Sequence, residues 1–503
     1  MVSALLLAPL LITSVPPILD YPNHLARLML LNAGPDDAVL GPLFEPRWTI
    51  IPNLAIDVIG TPLLRLLPVH AAGRCLLGGI LLLNLAGVIA LHRALFGRRS
   101  YWPLGSALVA YNSTFLLGFM NWQIGSGLAM LAAAGWLTWR ERWPAATIVA
   151  ASAASAVLFF CHLMGVVFFL LLIGGAEAHA GWRSRRILLR AAGLLPVVAG
   201  PVVLWQQTAL REAPAAVHWM SLYDKSVQIA SPFINYVLPL DLISTVLVYG
   251  GIILGIAAGW LVLAPRAAVA AVLVTAACAI LPFDLKSASF LDTRAAIMLS
   301  FLAFAAVDPI GPRPGTWRLV AAGCAALFMV RMAVVTDAWM GHRRDLQQLR
   351  AVIASVPPGA TVFVTNVPPD EAPAYWDAGP RGRHLSNTLR AEYHLPALLL
   401  IEQGAFWPGL FANPAQQPIR LRPAYAALAR AARDIPSHAQ VVAKPDSALP
   451  ALRAFDFVLM LEADADPNLA GFVPRCLVLA ARTDFAALFR VHRDVPACAE
   501  GPS

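Results

Sequence analysis

Long apolar runs recur along this chain as far as about residue 340, and no other feature restricts its fold so strongly. Each run has roughly 16 to 25 residues, the length that an α-helix needs to cross the hydrocarbon core of a bilayer. Of the 503 residues, 58% are hydrophobic and 13% are charged, whereas soluble domains are about 25% charged. The sequence therefore predicts a polytopic α-helical membrane protein rather than a soluble domain with one buried core.

Short arginine-rich loops separate many of these runs and predict the orientation of the chain. Loops rich in arginine stay on the cytoplasmic side of a bacterial membrane. The clusters are Arg93, Arg98 and Arg99; Arg140 and Arg142; Arg183, Arg185, Arg186 and Arg190; Arg266; and Arg313 with Arg318. The formal net charge of +8 therefore reports membrane topology, and we expect no nucleic-acid partner.

Two apolar stretches are too long for one span and predict helical hairpins. Residues 103–138 contain the polar segment GFMNWQIGSG in their middle. As one helix, residues 145–176 would be about 48 Å long and would place two arginine clusters on opposite sides. The resulting eleven spans cover about residues 2–18, 71–91, 103–119, 122–138, 145–160, 163–178, 191–207, 241–264, 267–283, 295–310 and 319–338.

An odd number of spans with a cytoplasmic N-terminus places the C-terminus in the periplasm. In the outer loop 19–70, the amphipathic stretches HLARLMLL and NLAIDVIGTPLLRLLP predict two helices lying along the membrane surface. After residue 342, helix-like and strand-like stretches alternate. We therefore expect a transmembrane domain over residues 1–340, which includes the loop 19–70, and a small periplasmic α/β domain over residues 341–503.

The six cysteines fall into two groups. Four lie singly in or beside apolar runs, as small core residues do: Cys75, Cys161, Cys278 and Cys324. Cys476 and Cys498 lie in the polar C-terminal region, where an oxidising compartment would allow a disulfide. The sequence leaves open whether these two pair or remain free thiols.

Asp20 is the first candidate for a catalytic group. It stands in ILDYPNHLARLMLL, where the first apolar run leaves the membrane, and His24 follows one helical turn later. The sequence has no P-loop, GxGxxG, HExxH, paired CxxC or GxSxG motif, so nucleotide hydrolysis and the common hydrolase chemistries have no support. Asp20 is either a solvated charge at a helix end or a base for a hydroxyl group.

Three more polar residues at the predicted outer ends of spans are candidates for substrate binding. Asn121 and Gln123 in GFMNWQIGSG either cap the turn of a hairpin or hydrogen-bond a sugar. His162 lies at the tip of the next hairpin, where it is either a satisfied core histidine or a group that reaches a phosphate. The residues alone leave both alternatives open.

Three cations are candidates for binding a lipid-linked phosphate. Lys286 and Arg294 belong to the outer loop PFDLKSASFLDTRAAIM, where charges also commonly anchor helix ends at the interface. Arg331 lies inside the last apolar run. It either extends to the outer headgroups or binds an anionic ligand.

The layout resembles the GT-C superfamily of integral-membrane glycosyltransferases, particularly the bacterial aminoarabinose and protein-mannosyl transferases. The resemblance rests on a first span, on LDYPNHLAR opening a long outer loop, and on ten further apolar runs before an outer C-terminal domain. It implies that Asp20 is the general base and that the donor is a sugar on a polyprenyl phosphate. Such a donor carries its own leaving group, so a base and phosphate-binding cations suffice. One carboxylate acting alone would give a single displacement with inversion.

The resemblance does not determine metal dependence. Several GT-C enzymes carry paired acids in the first outer loop and bind a divalent cation. Here YPNH follows Asp20, and the next acids are Asp36 and Asp37. We therefore assign no cofactor and no metal ligands from the sequence, with Mg²⁺ or Mn²⁺ as the candidate ion.

These observations predict a bacterial inner-membrane glycosyltransferase that moves a sugar from a polyprenyl-phosphate-linked donor to a periplasmic lipid or glycan acceptor. One alternative is an envelope polysaccharide polymerase or ligase that uses lipid-pyrophosphate donors, which would depend more on Arg211, Lys225 and Arg331 than on Asp20. Another is a non-catalytic scaffold or transporter. Transporters often have two related halves, and the sequence shows no such repeat.

Overall fold

The computed structural model describes residues 1–212, 216–286, 288–310, 314–365, 382–387, 389–433, 452–464 and 476–493, and this part of the chain is mostly helical. The helices in chain order are α1 Val2–Leu7, α2 Tyr21–Ala33, α3 Ala55–Leu63, α4 Val69–Phe96, α5 Ser113–Leu116, α6 Met120–Trp139, α7 Pro144–Cys161, α8 Leu163–Ser184, α9 Ile187–Ala192, α10 Leu195–Gln207, α11 Leu222–Gln228, α12 Leu238–Thr245, α13 Gly251–Ala257, α14 Pro265–Ile280, α15 Leu291–Ala305, α16 Pro314–Ile353, α17 Ala397–Gln403 and α18 Pro423–Arg433. The strands are β1 Phe44–Pro46, β2 Val217–His218, β3 Leu261–Leu263, β4 Asp284–Leu285, β5 Val307–Pro309, β6 Val362–Thr365, β7 Ile419–Leu421, β8 Phe457–Leu461, β9 Leu477–Arg482 and β10 Ala486–Val491.

Several helices confirm that this is a membrane protein. Within the described residues, six helical segments are long and apolar enough to cross a bilayer: Val69–Phe96, Pro144–Cys161, Leu163–Ser184, Ile187–Gln207, Leu238–Ala257 and Gly315–Ile353. The shorter helices Val2–Leu11 and Pro265–Ile280 are also apolar. The larger count of eleven spans stays a prediction.

Two predicted spans differ from the observed helices. The first helical segment ends at Leu11 rather than at residue 18. Pro16 and Pro17 lie between these two positions, and they lack the backbone N–H that a helix needs. The predicted span 103–119 is a 3₁₀-helix, Trp102–Val109, followed by the short α5. Asn112 separates the two, because its side chain accepts a hydrogen bond of 3.0 Å from the amide of Phe115 and caps α5.

The described chain divides into two compact units, each built from three segments. The first unit comprises residues 1–11, 49–59 and 74–336, and the second comprises residues 12–48, 60–73 and 337–503. We describe each unit by itself. The predicted domain boundaries, 1–340 and 341–503, stay a prediction.

Small residues allow close helix packing in the first unit. A Cβ atom added at Gly165 in α8 would lie 3.2 Å from the Cα atom of Gly125 in α6. One added at Gly175 would lie 2.8 Å from the amide nitrogen of Ala270 in α14. Lipid tails are as apolar as helix surfaces, so close backbone packing of this kind is what holds membrane helices together.

The second unit contains a four-stranded sheet with the order β6-β8-β10-β9. β6 runs parallel to β8, whereas β10 is antiparallel to both β8 and β9. All five residues of β8 are buried, so this strand forms the centre of a core. A separate two-stranded ribbon pairs β1 with β7, with Phe44 opposite Leu421.

The helix α2 belongs to the second unit and packs on α17. Nine of its 13 residues are buried. The sequence predicted an amphipathic helix lying on the membrane surface, and the helix forms where predicted. Its polar residues Asn23, His24 and Arg27 are nevertheless buried with the apolar ones, so α2 is an internal helix of this unit.

Candidate active site

Asp20 lies directly before α2, at the position that caps a helix N-terminus. An aspartate at this position commonly accepts a hydrogen bond from a backbone N–H of the first turn. The side chain of Asp20 makes no such bond. Its Oδ1 atom instead lies 3.0 Å from Nδ1 of His394, and the two side chains are 15% and 10% exposed. The carboxylate therefore serves the tertiary structure rather than the helix end, and it keeps some access to solvent.

Aromatic rings hold His394 in place. Its ring centroid lies 4.9 Å from that of Phe411, 5.1 Å from that of Tyr393 and 5.9 Å from that of Trp407, all in edge-on geometry. Edge-on contacts between rings restrict rotation as well as bury area. The imidazole is therefore fixed in position beside the Asp20 carboxylate.

Asn23 connects the start of α2 to the segment that carries Phe411. Its side-chain nitrogen donates to the carbonyl oxygen of Gly409 at 2.8 Å, and its side-chain oxygen accepts from the amide of Phe411 at 2.8 Å. His24 is also buried, and its ring lies 6.1 Å from that of Phe411, edge-on. The second unit thus groups Asp20 and His24 with His394, which the sequence analysis did not identify.

Asp20 and His394, which we call the Asp20 pair, are suited to proton transfer. A carboxylate accepts a proton from a hydroxyl group when the hydroxyl oxygen lies within hydrogen-bonding distance. The imidazole can hold that carboxylate in one orientation and share its charge. The pair therefore offers a base with a fixed direction of approach.

Asn121 and Gln123 lie in α6 and have structural partners in the first unit. The amide oxygen of Asn121 accepts from the backbone N–H of Ile56 at 2.7 Å, and its nitrogen donates to the carbonyl oxygen of Asn53 at 2.8 Å. Gln123 donates to Asn112 at 3.0 Å and to Thr114 at 2.9 Å. Both side chains are 2% exposed. These contacts show that both side chains have a structural role. Their role in sugar binding stays a prediction.

His162 lies at the junction of α7 and α8, as the hairpin prediction required. Its Nδ1 atom accepts from the backbone N–H of Met164 at 3.1 Å, which caps the start of α8. The ring also contacts Trp122 edge-on, with 6.0 Å between centroids. Its assignment to a phosphate stays a prediction.

The three candidate cations differ in their surroundings. Arg331 is 3% exposed, and its guanidinium donates to Asp241, to Ser244 and to the carbonyl oxygen of Phe233 at distances of 3.1, 3.2 and 2.6 Å. Arg294 is 6% exposed, donates to the carbonyl oxygen of Ser289 and lies 4.7 Å from the centre of the Phe119 ring. These contacts show that Arg331 has a structural partner, Asp241, that the sequence analysis missed.

Lys286 is the least enclosed of the three. It lies just after β4, where its backbone adopts a left-handed conformation with φ of 56°. Its ammonium group donates to the carbonyl oxygen of Arg211 at 2.7 Å. Phosphate binding by Lys286, Arg294 and Arg331 stays a prediction.

Asp37, one of the next acids in the first outer loop, has backbone partners. The carboxylate of Asp37 accepts from the backbone N–H groups of Val39 and Leu40 at 2.9 and 2.8 Å. These two hydrogen bonds lower the pKa of Asp37 below its ordinary value. Asp37 therefore stabilises a turn, and its neighbour Asp36 is exposed.

Two further titratable residues, Glu392 and His384, lie in the second unit near His394 in the sequence. Burial and then the neighbouring Glu462 carboxylate raise the pKa of Glu392 to about 7. Burial and then the positive charge of Arg390 lower the pKa of His384 to about 4. Cys476 in the same unit forms a disulfide, and its predicted partner Cys498 lies outside the described residues.

The fold of the whole chain is similar to one solved structure. It matches the crystal structure of ArnT from Cupriavidus metallidurans bound to undecaprenyl phosphate, with a TM-score of 0.51 and 12% sequence identity. The match covers 100% of this chain and 98% of that one. No protein-family model and no curated protein sequence matches the chain. The likeness is one of fold, and this fold is the one that the sequence resemblance implied.

Proposed function

We propose that this membrane protein is a glycosyltransferase that moves a sugar from a polyprenyl-phosphate-linked donor to a lipid or glycan acceptor on the periplasmic side of the bacterial inner membrane. The observation that carries the proposal is the whole-chain likeness to ArnT, whose structure holds undecaprenyl phosphate. A fold alone does not define a reaction, so the assignment also needs a reactive group. The Asp20 pair supplies one.

In the proposed reaction, Asp20 acts as the general base. Its carboxylate removes the proton from an acceptor hydroxyl while that oxygen attacks the anomeric carbon of the sugar. The bond between the anomeric carbon and the phosphate oxygen breaks, and the electron pair leaves with the polyprenyl phosphate. One displacement at this carbon inverts its configuration. His394 positions this carboxylate, since its Nδ1 atom lies 3.0 Å from Oδ1 of Asp20.

The leaving phosphate needs positive charge nearby. Of the three candidate cations, we propose that Arg294 and Lys286 serve this purpose before Arg331 does. Arg331 is already held by a carboxylate, a hydroxyl group and a carbonyl oxygen in the first unit. His24, His162, Asn121 and Gln123 remain our proposed contacts to the sugar or the lipid head.

We also propose that the N-terminus is cytoplasmic and that the C-terminal part of the chain faces the periplasm. The disulfide at Cys476 supports this orientation, because disulfides persist in the oxidising periplasm and are rare in the cytosol. Cysteine labelling of intact cells at single sites on either side of α16 tests it.

The function is tested by two measurements on the purified full-length protein and its Asp20→Asn variant. The first is binding of a polyprenyl phosphate, and the second is transfer of labelled sugar from a lipid-linked donor in membranes. We expect both proteins to bind the lipid and only the wild type to transfer sugar. Asp36→Asn is the matched control, since this exposed acid lies in the same loop. Lipid binding by neither protein would refute the donor, and transfer from pyrophosphate-linked donors alone would favour a polymerase or ligase.

A further inference from the structure

Three side chains in the second unit converge on one buried point. One ring nitrogen of His384 and one carboxylate oxygen each from Glu392 and Glu462 all lie within 4.8 Å of one another. The two glutamates are 1% and 5% exposed. We call this group the His384 cluster.

Three separate backbone features bring the cluster together. His384 pairs with Arg390 across an isolated antiparallel bridge. Glu392 lies in the turn that leads into α17, and Glu462 directly follows the central strand β8. Because β8 is buried along its whole length, the point where Glu462 leaves it is fixed by the core.

Two carboxylates in this cluster share a single cation. The guanidinium of Arg390 donates to Oε1 of Glu392 at 2.6 Å, and it also donates to Oε2 of Glu462. A single guanidinium compensates the charge of only one carboxylate. Burying a second carboxylate charge without its own cation is unfavourable, so the second group holds either a proton or a further cation.

The guanidinium of Arg383, the residue before His384, is already occupied. Arg383 donates to both oxygens of Asp345, at 2.7 and 3.0 Å, and to Asp464 at 2.9 Å. This arginine therefore also serves two carboxylates. Neither arginine has positive charge to spare for the His384 cluster.

Each glutamate of the cluster also has one oxygen without a hydrogen bond among the described residues. These atoms are Oε2 of Glu392 and Oε1 of Glu462, and both are buried. A buried acceptor that is left unsatisfied destabilises the fold, and more so when it is charged. A cation bound by the two carboxylates would supply both a partner and a positive charge.

We propose that His384, Glu392 and Glu462 bind one divalent metal ion, and that this ion is Zn²⁺ in preference to Mg²⁺ or Ca²⁺. One imidazole and two carboxylates suit zinc, whereas Mg²⁺ and Ca²⁺ prefer oxygen ligands alone. Neighbouring ligand atoms around tetrahedral zinc are about 3.3 Å apart, so no pair of these ligand atoms must close by more than about 1.5 Å. Three protein ligands leave a fourth position for water or another ligand. The Arg390 hydrogen bonds then orient the metal-bound carboxylates.

The metal site would also stabilise the Asp20 pair. Its effect on sugar transfer rests on the proposed function, whereas the metal site itself is independent of that function. Glu392 and His394 lie two residues apart in the turn before α17. A metal bond to Glu392 would fix this turn and with it the imidazole that contacts Asp20. Transfer would then fall on metal removal although no metal touches the substrate.

The test is metal binding by the purified full-length protein after treatment with a chelator. We expect equilibrium dialysis with Zn²⁺ to give one equivalent per chain, and Co²⁺ in its place to give the visible absorption of a tetrahedral site. His384→Gln and Glu462→Gln should each weaken zinc binding by at least about 100-fold, the upper end of what loss of even an outer partner costs. Glu45→Gln, an acid in the same unit that pairs with Arg420, should bind zinc as the wild type does.

Two results would overturn the site. One is a wild-type protein that binds no zinc, and the other is zinc binding that persists in His384→Gln. His384 is partly exposed, so this variant should fold even where Glu462→Gln does not. Both readouts are independent of sugar transfer. A protein that transfers sugar but binds no zinc would refute the site alone, and one that binds zinc but transfers nothing would refute only the proposed function.

Discussion

Two charged pairs in this molecule join residues that are far apart in the sequence, and they differ in how completely their hydrogen bonds are used. In the first unit, Asp241 and Arg331 are 0% and 3% exposed. Arg331 has three partners, and the second oxygen of Asp241 accepts from the amide of Asn235 at 2.9 Å. In the second unit, Asp20 is 15% exposed and its side chain has His394 as its one polar partner among the described residues.

This difference supports our proposal that the first pair is structural and that Asp20 is the reactive group. Charged residues are rare in apolar helices and commonly mark a functional site. Rarity drew attention to Arg331 in the sequence, but its partners are all inside the protein and leave little for a ligand. Within the described part of the chain, the Asp20 carboxylate has one polar contact, which leaves positions for a ligand. We therefore propose that the number of hydrogen-bonding positions still open indicates chemistry better than burial or rarity does.

The sharpest test of the comparison is Asp20→Asn. The amide keeps the size of the side chain but cannot accept the proton, so we expect sugar transfer to fall by about 10²- to 10⁴-fold. The variant should fold and bind polyprenyl phosphate normally. Transfer rates measured beside Asp36→Asn check this. A variant that keeps full activity would show that Asp20 is only a charge at a helix start.

Arg331→Met should act on stability instead. It leaves the buried carboxylate of Asp241 without its cation, which costs about 3–5 kcal/mol of unfolding free energy. Thermal unfolding in detergent measures the loss, and the double variant Arg331→Met with Asp241→Leu should recover most of it. Normal stability together with lost lipid binding would contradict the structural assignment and restore Arg331 as a phosphate ligand.

His394→Gln tests the difference within the Asp20 pair itself. A positioning residue acts through the carboxylate, so we expect transfer to fall by about 10-fold, with kcat reduced and KM little changed. The pH profile of kcat should keep its shape, because the base is unchanged. A loss as large as that of Asp20→Asn, with a flattened pH profile, would make the imidazole the base.

Local patterns in the sequence predicted much of the fold. The apolar runs predicted the long helices, since length and hydropathy suffice to define a membrane-crossing segment. The stretches ATVFVTNV and FDFVLMLEA contain β6 and β8. The break at Asn112 was missed, because capping by one side chain interrupts an apolar run without changing its hydropathy.

The site was predicted only in part, because its partners are distant in the chain. Asp20 stood out by its position at the end of an apolar run. His394 lies 374 residues later, in the segment AEYHLPALLL, and no pattern there connects it to Asp20. The same holds for Asp241 and Arg331. One sequence shows which residues are unusual, whereas which pairs meet depends on tertiary packing.

Glu402 provides the smallest test. It lies in the same unit as Asp20, and both of its carboxylate oxygens accept hydrogen bonds. Its oxygens accept from Arg350 at 2.6 and 3.0 Å, and one of them lies 2.9 Å from Nε2 of His70. Burial raises the pKa of Glu402, but the hydrogen bonds from His70 and Arg350 together lower it by more than burial raises it. The net pKa therefore lies below its ordinary value of 4.5.

A pKa that is lowered by folding means that the charged form stabilises the folded state above about pH 4.5, and that this stability disappears as the pH falls through the folded pKa. We therefore expect Glu402→Gln to lower the unfolding free energy by about 1 kcal/mol at pH 7, with the difference from wild type vanishing in acid. Unfolding midpoints measured from pH 7 to pH 3 check this, and sugar transfer at pH 7 should stay near the wild-type rate. A large loss of transfer in Glu402→Gln would contradict our proposal that a carboxylate whose two oxygens are both held by hydrogen bonds has no chemical role.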